Sequence, residues 1–169
     1  MERRRHRLSL FQMQTSQRQA IDLLDRQFTS AIDGLRAFTR SVPDQLLYQP
    51  APGLTIGENI LRSAGVVEQT CGGITTNLWD DPFEWTLPET LSTSSRILEY
   101  LSEVETAKQR AFASLATDDV LLKYIAVPWS DNCPLLELLL QTLVKSAEYR
   151  GRAVATLKML SDVSATRVL

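Results

Sequence analysis

Between Thr55 and Leu78 the sequence reads TIGENILRSAGVVEQTCGGITTNL and carries both the start signal and the periodicity of an amphipathic helix. The Thr55 hydroxyl can cap the first turn, while Glu58, three residues later, completes a capping box. Apolar residues then recur every three or four positions, which is the spacing of one helix face. We therefore predict a core-facing helix that begins at Thr55 and ends near Trp79. Its apolar face comprises Ile56, Ile60, Ala64, Val67, Cys71, Ile74 and Leu78.

Two further segments show the same helical period. One covers Gln14–Thr39, and the other begins at Thr93 or Ser94 and stops before Asp118. In the second of these helices, acidic and basic residues lie on the side away from the apolar positions. This pattern predicts a solvent-exposed face with ion pairs inside the helix. The residues assigned to that wetter side are Glu103, Glu105, Lys108 and Arg110.

A fourth helix is predicted near the end of the chain. Its start signal is Asp131–Pro134, because Asn or Asp caps a helix and proline fits its first turn, and it continues to about Leu160. The preceding segment, Val120–Ser130, is either a short helical turn or a brief extended piece, and periodicity does not separate the two. Since no alternating strand series appears, the sequence predicts an all-α fold, a four-helix bundle.

The composition is that of an ordinary globular domain. The chain has 169 residues, of which 44% are hydrophobic and 22% charged, and these values match one domain with a packed core. We assign the domain to residues 13–162, preceded by a basic, flexible arm over 1–12 and followed by a tail over 163–169. The arm is either a solvated terminus or a tail that touches phosphate or membrane, and we assign it no function.

The charge balance excludes whole classes of partner. A net charge of -2 and a pI near 5.5 provide no overall field that would attract nucleic acid. The sequence contains no run of roughly 20 apolar residues that could span a membrane. The apolar stretch Leu8–Phe11 is too short for the core of a signal peptide. The sequence therefore predicts a cytoplasmic protein without nucleic-acid or membrane partners.

The scarcity of imidazole and thiol groups excludes much catalytic chemistry. The single histidine, His6, lies in the basic arm, so it cannot join a catalytic triad or a histidine-rich metal site. The cysteines, Cys71 and Cys133, are far apart and have no metal-ligand spacing. We expect them to be reduced, partly buried thiols. The sequence thus predicts no metal and no other cofactor, and it favours a protein that is not an enzyme.

Two short motifs resemble the DinB/YfiT-like family. Leu54–Arg62, LTIGENILR, is similar to that family's helix-two motif, in which an aromatic residue, Ser or Thr, Ile and Glu precede a metal-binding histidine. Lys145–Arg152, KSAEYRGR, is similar to its helix-four signature HxxxHRGQ, and Pro128-Trp129 resembles the element that commonly precedes that helix. The resemblance implies a four-helix bundle and a homodimer. Members that keep three histidines bind a divalent metal, and some are associated with thiol-dependent transferase chemistry.

The resemblance places the three family histidines on Arg62, Lys145 and Tyr149, none of which is histidine here. A protonated guanidinium has no lone pair to donate, and a lone tyrosine is a poor anchor for a metal. Two outcomes remain open at these positions. One is an ion-pair network that fills the former metal site, and the other is a pocket for a small anionic molecule. The candidate pocket residues are Arg62, Lys145, Tyr149 and Glu58, with Glu68 and Glu148 as further carboxylates.

Three functions remain in competition. The first is a non-catalytic binding or structural protein that has lost the family's metal site. The second is a metal- or thiol-dependent transferase that uses a different site. The third is a dimeric scaffold whose aromatic loop, Trp79–Trp85, recruits a partner. The rings of that loop either cover one end of the helices or form part of a partner surface, and its acidic residues are a weak signal for a hard cation.

Overall fold

The computed structural model describes residues 17–82 and 88–166, without the side chains of residues 130, 131 and 162–166. The predicted arm over 1–12 lies outside these residues, as do Phe83, Glu84 and Trp85 of the aromatic loop. Over the described residues the chain is mostly helical. The helices are α1 (Gln19–Ser41), α2 (Asp44–Leu47), α3 (Ile56–Thr76), α4 (Ser94–Ser114) and α5 (Leu135–Thr166), with a 3-10 helix at Asp118–Leu122 and strands β1 (Tyr124–Val127) and β2 (Ser130–Pro134).

The predicted start of α3 is confirmed in detail. The Glu58 amide donates to the Thr55 hydroxyl, and the Glu58 carboxylate accepts from the Thr55 amide at 2.7 Å, so the capping box is complete. The helix ends at Thr76, slightly before the predicted end, because Asn77 adopts a left-handed conformation that closes the last turn. For α4, Thr93 is the N-cap and its side chain accepts from the Arg96 amide.

The prediction for the start of α5 was wrong. Residues Asp131–Pro134 belong to strand β2 and not to a helix cap, and α5 begins at Leu135 and continues past Leu160 to Thr166. Strand β2 pairs antiparallel with β1, with Tyr124 opposite Pro134. The Leu135 amide then donates to the Lys123 carbonyl at 2.9 Å. Cap residues also favour turns and strand ends, so the pairing with β1 overrides the local signal. The segment before it contains both predicted forms, a helical turn and an extended piece.

The long helices bury a shared apolar core. Helix α3 lies between α5 and α4, while α1 packs against α4 and α5. The helical period predicted for the segment that contains α1 is confirmed, since its recurring apolar residues Ile21, Phe28 and Leu35 are buried. Helices α3 and α5 also meet through hydroxyl groups: Ser63 Oγ donates to the Ser146 carbonyl, and the Thr70 and Thr142 hydroxyls lie 2.7 Å apart. No described helix is both long and apolar enough to cross a membrane.

Lys108 corrects the predicted face of α4. The spacing within α4 predicts that this residue lies on the wetter side, yet it is only 3% exposed. Its Nζ donates to Asp25 Oδ1 at 2.7 Å and to the Thr29 hydroxyl at 2.8 Å, both on α1. The Asp25 side chain is 40% exposed, so this ion pair joins a buried ammonium to a partly hydrated carboxylate. Pairing and hydrogen bonding on α1 offset the desolvation of the ammonium, which the spacing within α4 could not reveal.

Substitution of the two partners of this ion pair should change the free energy of unfolding by different amounts. Asp25→Asn leaves a buried ammonium without its counter-charge and should lower the free energy of unfolding by about 2 kcal/mol. Lys108→Met replaces the buried charge with an apolar chain, and Asp25 regains water, so the change should stay within about 1 kcal/mol. Urea unfolding measures the free energy of unfolding of both variants. Glu99→Gln, in an exposed pair with Arg96, is the control. A larger loss for Lys108→Met than for Asp25→Asn would contradict this account.

Candidate functional site

Arg62 lies on α3 and faces the segment that follows this helix. Its Nη1 is 3.4 Å from Asp81 Oδ2. The segment returns along α3 because the Gln69 side-chain amide donates to the Trp79 carbonyl at 2.8 Å. The side chains of Arg62 and Asp81 are 31% and 44% exposed. The pair is therefore only partly screened by water, and Asp81 supplies a negative charge to a position where the resemblance implied a metal ligand.

Glu58 has a local role. Its carboxylate accepts hydrogen bonds from both the amide and the hydroxyl of Thr55, at 2.7 and 2.8 Å. These contacts hold the first turn of α3. The described hydrogen bonds of Glu58 therefore identify it as part of the helix cap. This is the role that the sequence spacing alone predicts.

Lys145 and Tyr149 lie on α5, next to the line along which it contacts α3. The hydroxyl pairs Ser63–Ser146 and Thr70–Thr142 cross between the helices and set their antiparallel register. Lys145 is exposed and borders a small cavity of about 20 Å³ beside Gln69 and Trp129, roughly the space of one water molecule. Tyr149 is half-buried, and the Arg152 guanidinium lies 5.2 Å from its ring centre.

The four predicted residues lie on α3 and α5, two helices that pack against each other, but their described contacts run in different directions. Arg62 reaches Asp81, Glu58 holds the helix cap, and Tyr149 stacks with Arg152. These contacts favour separate ion pairs and stacking contacts over a shared pocket for a small anion.

Trp79 closes one end of this contact region. Its ring lies against Gly73, where an added Cβ would overlap the indole, and it meets the Trp129 ring edge-on at 5.4 Å. Trp79 Nε1 donates to the Asn77 side chain at 3.0 Å. For Trp79, these contacts support the interpretation that the aromatic loop covers the helices.

Glu68, predicted as a further carboxylate of the candidate pocket, instead forms a second polar site with Tyr100, a partner that sequence reasoning missed. The Tyr100 hydroxyl donates to Glu68 Oε2 at 2.5 Å across the α3–α4 contact. Burial raises the pKa of Glu68 above its usual 4.5; the Tyr100 hydrogen bond acts in the opposite direction, and nearby Glu103 raises it further. Burial and Glu68 also raise the pKa of Tyr100. A signal was present, because Tyr100 lies on the apolar stripe with Ile97 and Val104, and a buried tyrosine needs a hydrogen-bond partner.

The Glu68 site predicts a pH-dependent stability. Because its folded pKa is raised, the protonated carboxyl stabilises the fold fully below the unfolded pKa, and this contribution is lost as pH rises through the folded pKa. Glu68→Gln keeps an acceptor for Tyr100 and removes the charge. It should therefore raise the melting temperature at pH 7, with the gain shrinking toward pH 4.

Tyr100→Phe is the matched variant. It removes the donor that favours the carboxylate, so it should destabilise the protein more at pH 7 than at pH 4. Thermal unfolding followed by circular dichroism measures the melting temperatures of both variants between pH 4 and pH 7. If Glu68→Gln melted below the unmodified protein at pH 7, the burial of the charge would not be the dominant effect.

The comparisons with known proteins assign no family to this chain. No protein-family model matches the chain, and no curated protein shows significant similarity to it. Among the residues described by the structure, no group of three or more His, Cys, Asp or Glu side chains is arranged to hold a metal ion.

Proposed function

We propose that this chain is a four-helix bundle of the DinB/YfiT-like type without the family's metal site, and that it acts as a non-catalytic binding or structural protein. The proposal is supported by the packing of the four long helices. It is also supported by the places of the two motifs, since Leu54–Arg62 leads into α3 and Lys145–Arg152 lies within α5. These two helices contact each other directly, as the implied metal site would require.

The Arg62–Asp81 ion pair carries the proposal. A guanidinium stays protonated in proteins and cannot donate a lone pair to a metal, and here its charge already faces a carboxylate at 3.4 Å. The helix contact beside it is occupied by buried serine and threonine hydroxyls that bond to each other across α3 and α5. Arg62 thus has a carboxylate beside it, and the hydroxyls of the helix contact satisfy one another, which supports a structural role for these residues.

A transferase that relies on Cys71 is disfavoured. Cys71 is buried in α3 among apolar residues, and burial raises its pKa to about 12, although Lys108 acts to lower it. A thiol in this state is a poor nucleophile at neutral pH, because the thiolate is the reactive form. The contacts therefore support the binding or structural function over thiol chemistry at this residue.

Restoring the histidines tests the assignment of the site. The triple variant Arg62→His/Lys145→His/Tyr149→His should bind one zinc ion per chain if the three positions converge, because three imidazoles form a strong zinc site. The control Arg62→His/Ser102→His/Thr106→His carries the same histidine spacing on the exposed side of α4. We expect the first variant to bind zinc about 100-fold more tightly in a chelator competition assay. Equal affinities would reject the assignment of these positions.

Elemental analysis of the unmodified protein, purified without chelators, tests the loss of the metal site. We expect far less than one equivalent of zinc, nickel or iron per chain, because Arg62 cannot act as a ligand. Close to one equivalent of any of these metals would contradict the proposal.

The anion pocket makes a separate prediction. An anion at Arg62 would have to displace Asp81, so phosphate and citrate should show no binding in titration calorimetry at micromolar to low millimolar concentration. Asp81→Asn removes the competing carboxylate and is the matched variant. Tight binding of either anion to the unmodified protein would favour the pocket over the ion-pair network.

A further inference from the structure

A cleft lies between the segment that precedes α3 and the second half of α5. Its volume is about 440 Å³, which is within the range of small-molecule sites. We call it the Asn59 cleft, and it includes none of the four candidate pocket residues predicted from the sequence. The residues that line it on the α3 side include Gly53, Leu54 and Asn59, and those on α5 are Arg152, Ala155, Thr156 and Met159.

Asn59 lines this cleft as a buried amide whose orientation is fixed. The side chain is only 2% exposed. Its Nδ2 donates to the Leu54 carbonyl at 3.0 Å and to the Thr55 carbonyl at 2.9 Å. The reverse orientation would place the amide oxygen against two carbonyl oxygens, so Oδ1 is the atom left over. Within the part of the chain that the structure describes, Oδ1 is the only buried side-chain nitrogen or oxygen without a hydrogen-bond partner.

This unpaired acceptor cannot find a partner by a local rearrangement. Rotation of the Asn59 amide would break both bonds that hold the preceding segment against α3. That segment is further constrained by Gly53, whose φ of 88° is a left-handed conformation that favours glycine. Because a buried acceptor without a partner is unfavourable, such a group in a native protein calls for an explanation. A molecule that enters the cleft can supply the missing O–H or N–H donor.

Arg152 adds a positive charge to the same cleft. Its side chain is 61% exposed, and its ion pair with Glu148 is long, at 4.0 Å between Nη2 and Oε2. An exposed pair of this length contributes little, so Glu148 is a weak competitor for the guanidinium. A guanidinium presents parallel N–H donors that match a carboxylate. Arg152 is therefore suited to hold the anionic end of a ligand.

The remaining lining is largely apolar. Leu54 and Met159 offer large side chains from opposite walls, and Ala155 leaves space between them. A site of this kind binds the apolar part of a ligand by burial and uses a few polar groups to orient it. Here the orienting groups are one hydrogen-bond acceptor and one cation.

We propose that the Asn59 cleft binds a small carboxylate that carries an apolar group and a neutral O–H or N–H donor. The carboxylate pairs with Arg152, the donor bonds to Asn59 Oδ1, and the apolar group packs against Leu54 and Met159. A neutral donor fits because an ammonium buried at Asn59 would have no counter-charge beside it. The proposal rests on contacts of the cleft and does not depend on the loss of a metal site.

Leucic acid is the first probe, since it combines a carboxylate, a hydroxyl donor and a branched apolar group. N-acetylleucine replaces the hydroxyl with an N–H donor and so distinguishes the two kinds of donor. Isocaproate has the carbon skeleton of leucic acid without the hydroxyl, and the amide of leucic acid lacks the negative charge. Amide NMR titration of the full chain measures each dissociation constant, with the Asn59 side-chain amide as the local reporter. We expect about millimolar affinity for a ligand of this size, and about tenfold weaker binding of isocaproate and of the amide.

Two substitutions on α5 test the location. Arg152→Gln removes the cation and should weaken binding of leucic acid about tenfold. Ala155→Leu places a larger side chain in the cleft and should abolish binding. Both positions are exposed, so the fold should be retained. Arg110→Gln and Ala113→Leu, at exposed positions of α4, are the matched controls and should leave the affinity unchanged. Asn59→Leu would also remove the two bonds that hold the preceding segment, so the α5 variants provide the cleaner test.

The outcomes are distinct. Binding of leucic acid or N-acetylleucine that shifts the Asn59 signals and is lost in both α5 variants supports the proposal. Absence of binding by both probes at ten times the expected dissociation constant overturns it and leaves water as the partner of Asn59. Binding that Arg152→Gln and Ala155→Leu do not change also overturns it, because the ligand then occupies another site. Equal affinity for isocaproate and leucic acid overturns the role of Asn59 in recognition. The zinc comparison uses other positions, so failure here and failure of the proposed function are distinguishable.

Discussion

The antiparallel contact between α3 and α5 is the constraint on which the rest of the structure depends. Two hydroxyl pairs cross it, Ser63 with Ser146 and Thr70 with Thr142, and each is buried. Buried hydroxyls need partners, so a slip of one helix along the other would leave them unsatisfied in an apolar core. Apolar burial supplies most of the driving force, while these pairs favour the observed register.

With α3 held in this register, its polar side chains face different neighbouring elements. On one side of the helix, Arg62 turns toward the segment that carries Asp81. On another side, Glu68 turns toward Tyr100 of α4, where burial makes its charge unfavourable. Both side chains are polar groups at the margin of a core, and both are satisfied by elements distant in sequence. The contact between Arg62 and Asp81 shows that a cation at the margin of the core is accommodated when a carboxylate from the following segment lies beside it.

The two faces of helix α5 differ in their burial. Its inner face completes the core against α3, and its outer face exposes Leu140 and Val144. The small hairpin of β1 and β2 leads directly into it, with Leu135 bonded back to Lys123. The hairpin therefore sets the point at which α5 begins.

The sequence by itself determined the helical class, the capping box at Thr55 and the apolar faces of α1, α3 and α4, because these depend on periodicity and on contacts within a few residues. It also singled out Arg62, Lys145 and Tyr149, although only through the resemblance. Tertiary structure alone decided that Lys108 is buried, that Asp131–Pro134 is a strand, and that Glu68 meets Tyr100. The reason is physical: each of these outcomes depends on a partner from another element, and local spacing carries no information about which element will lie opposite.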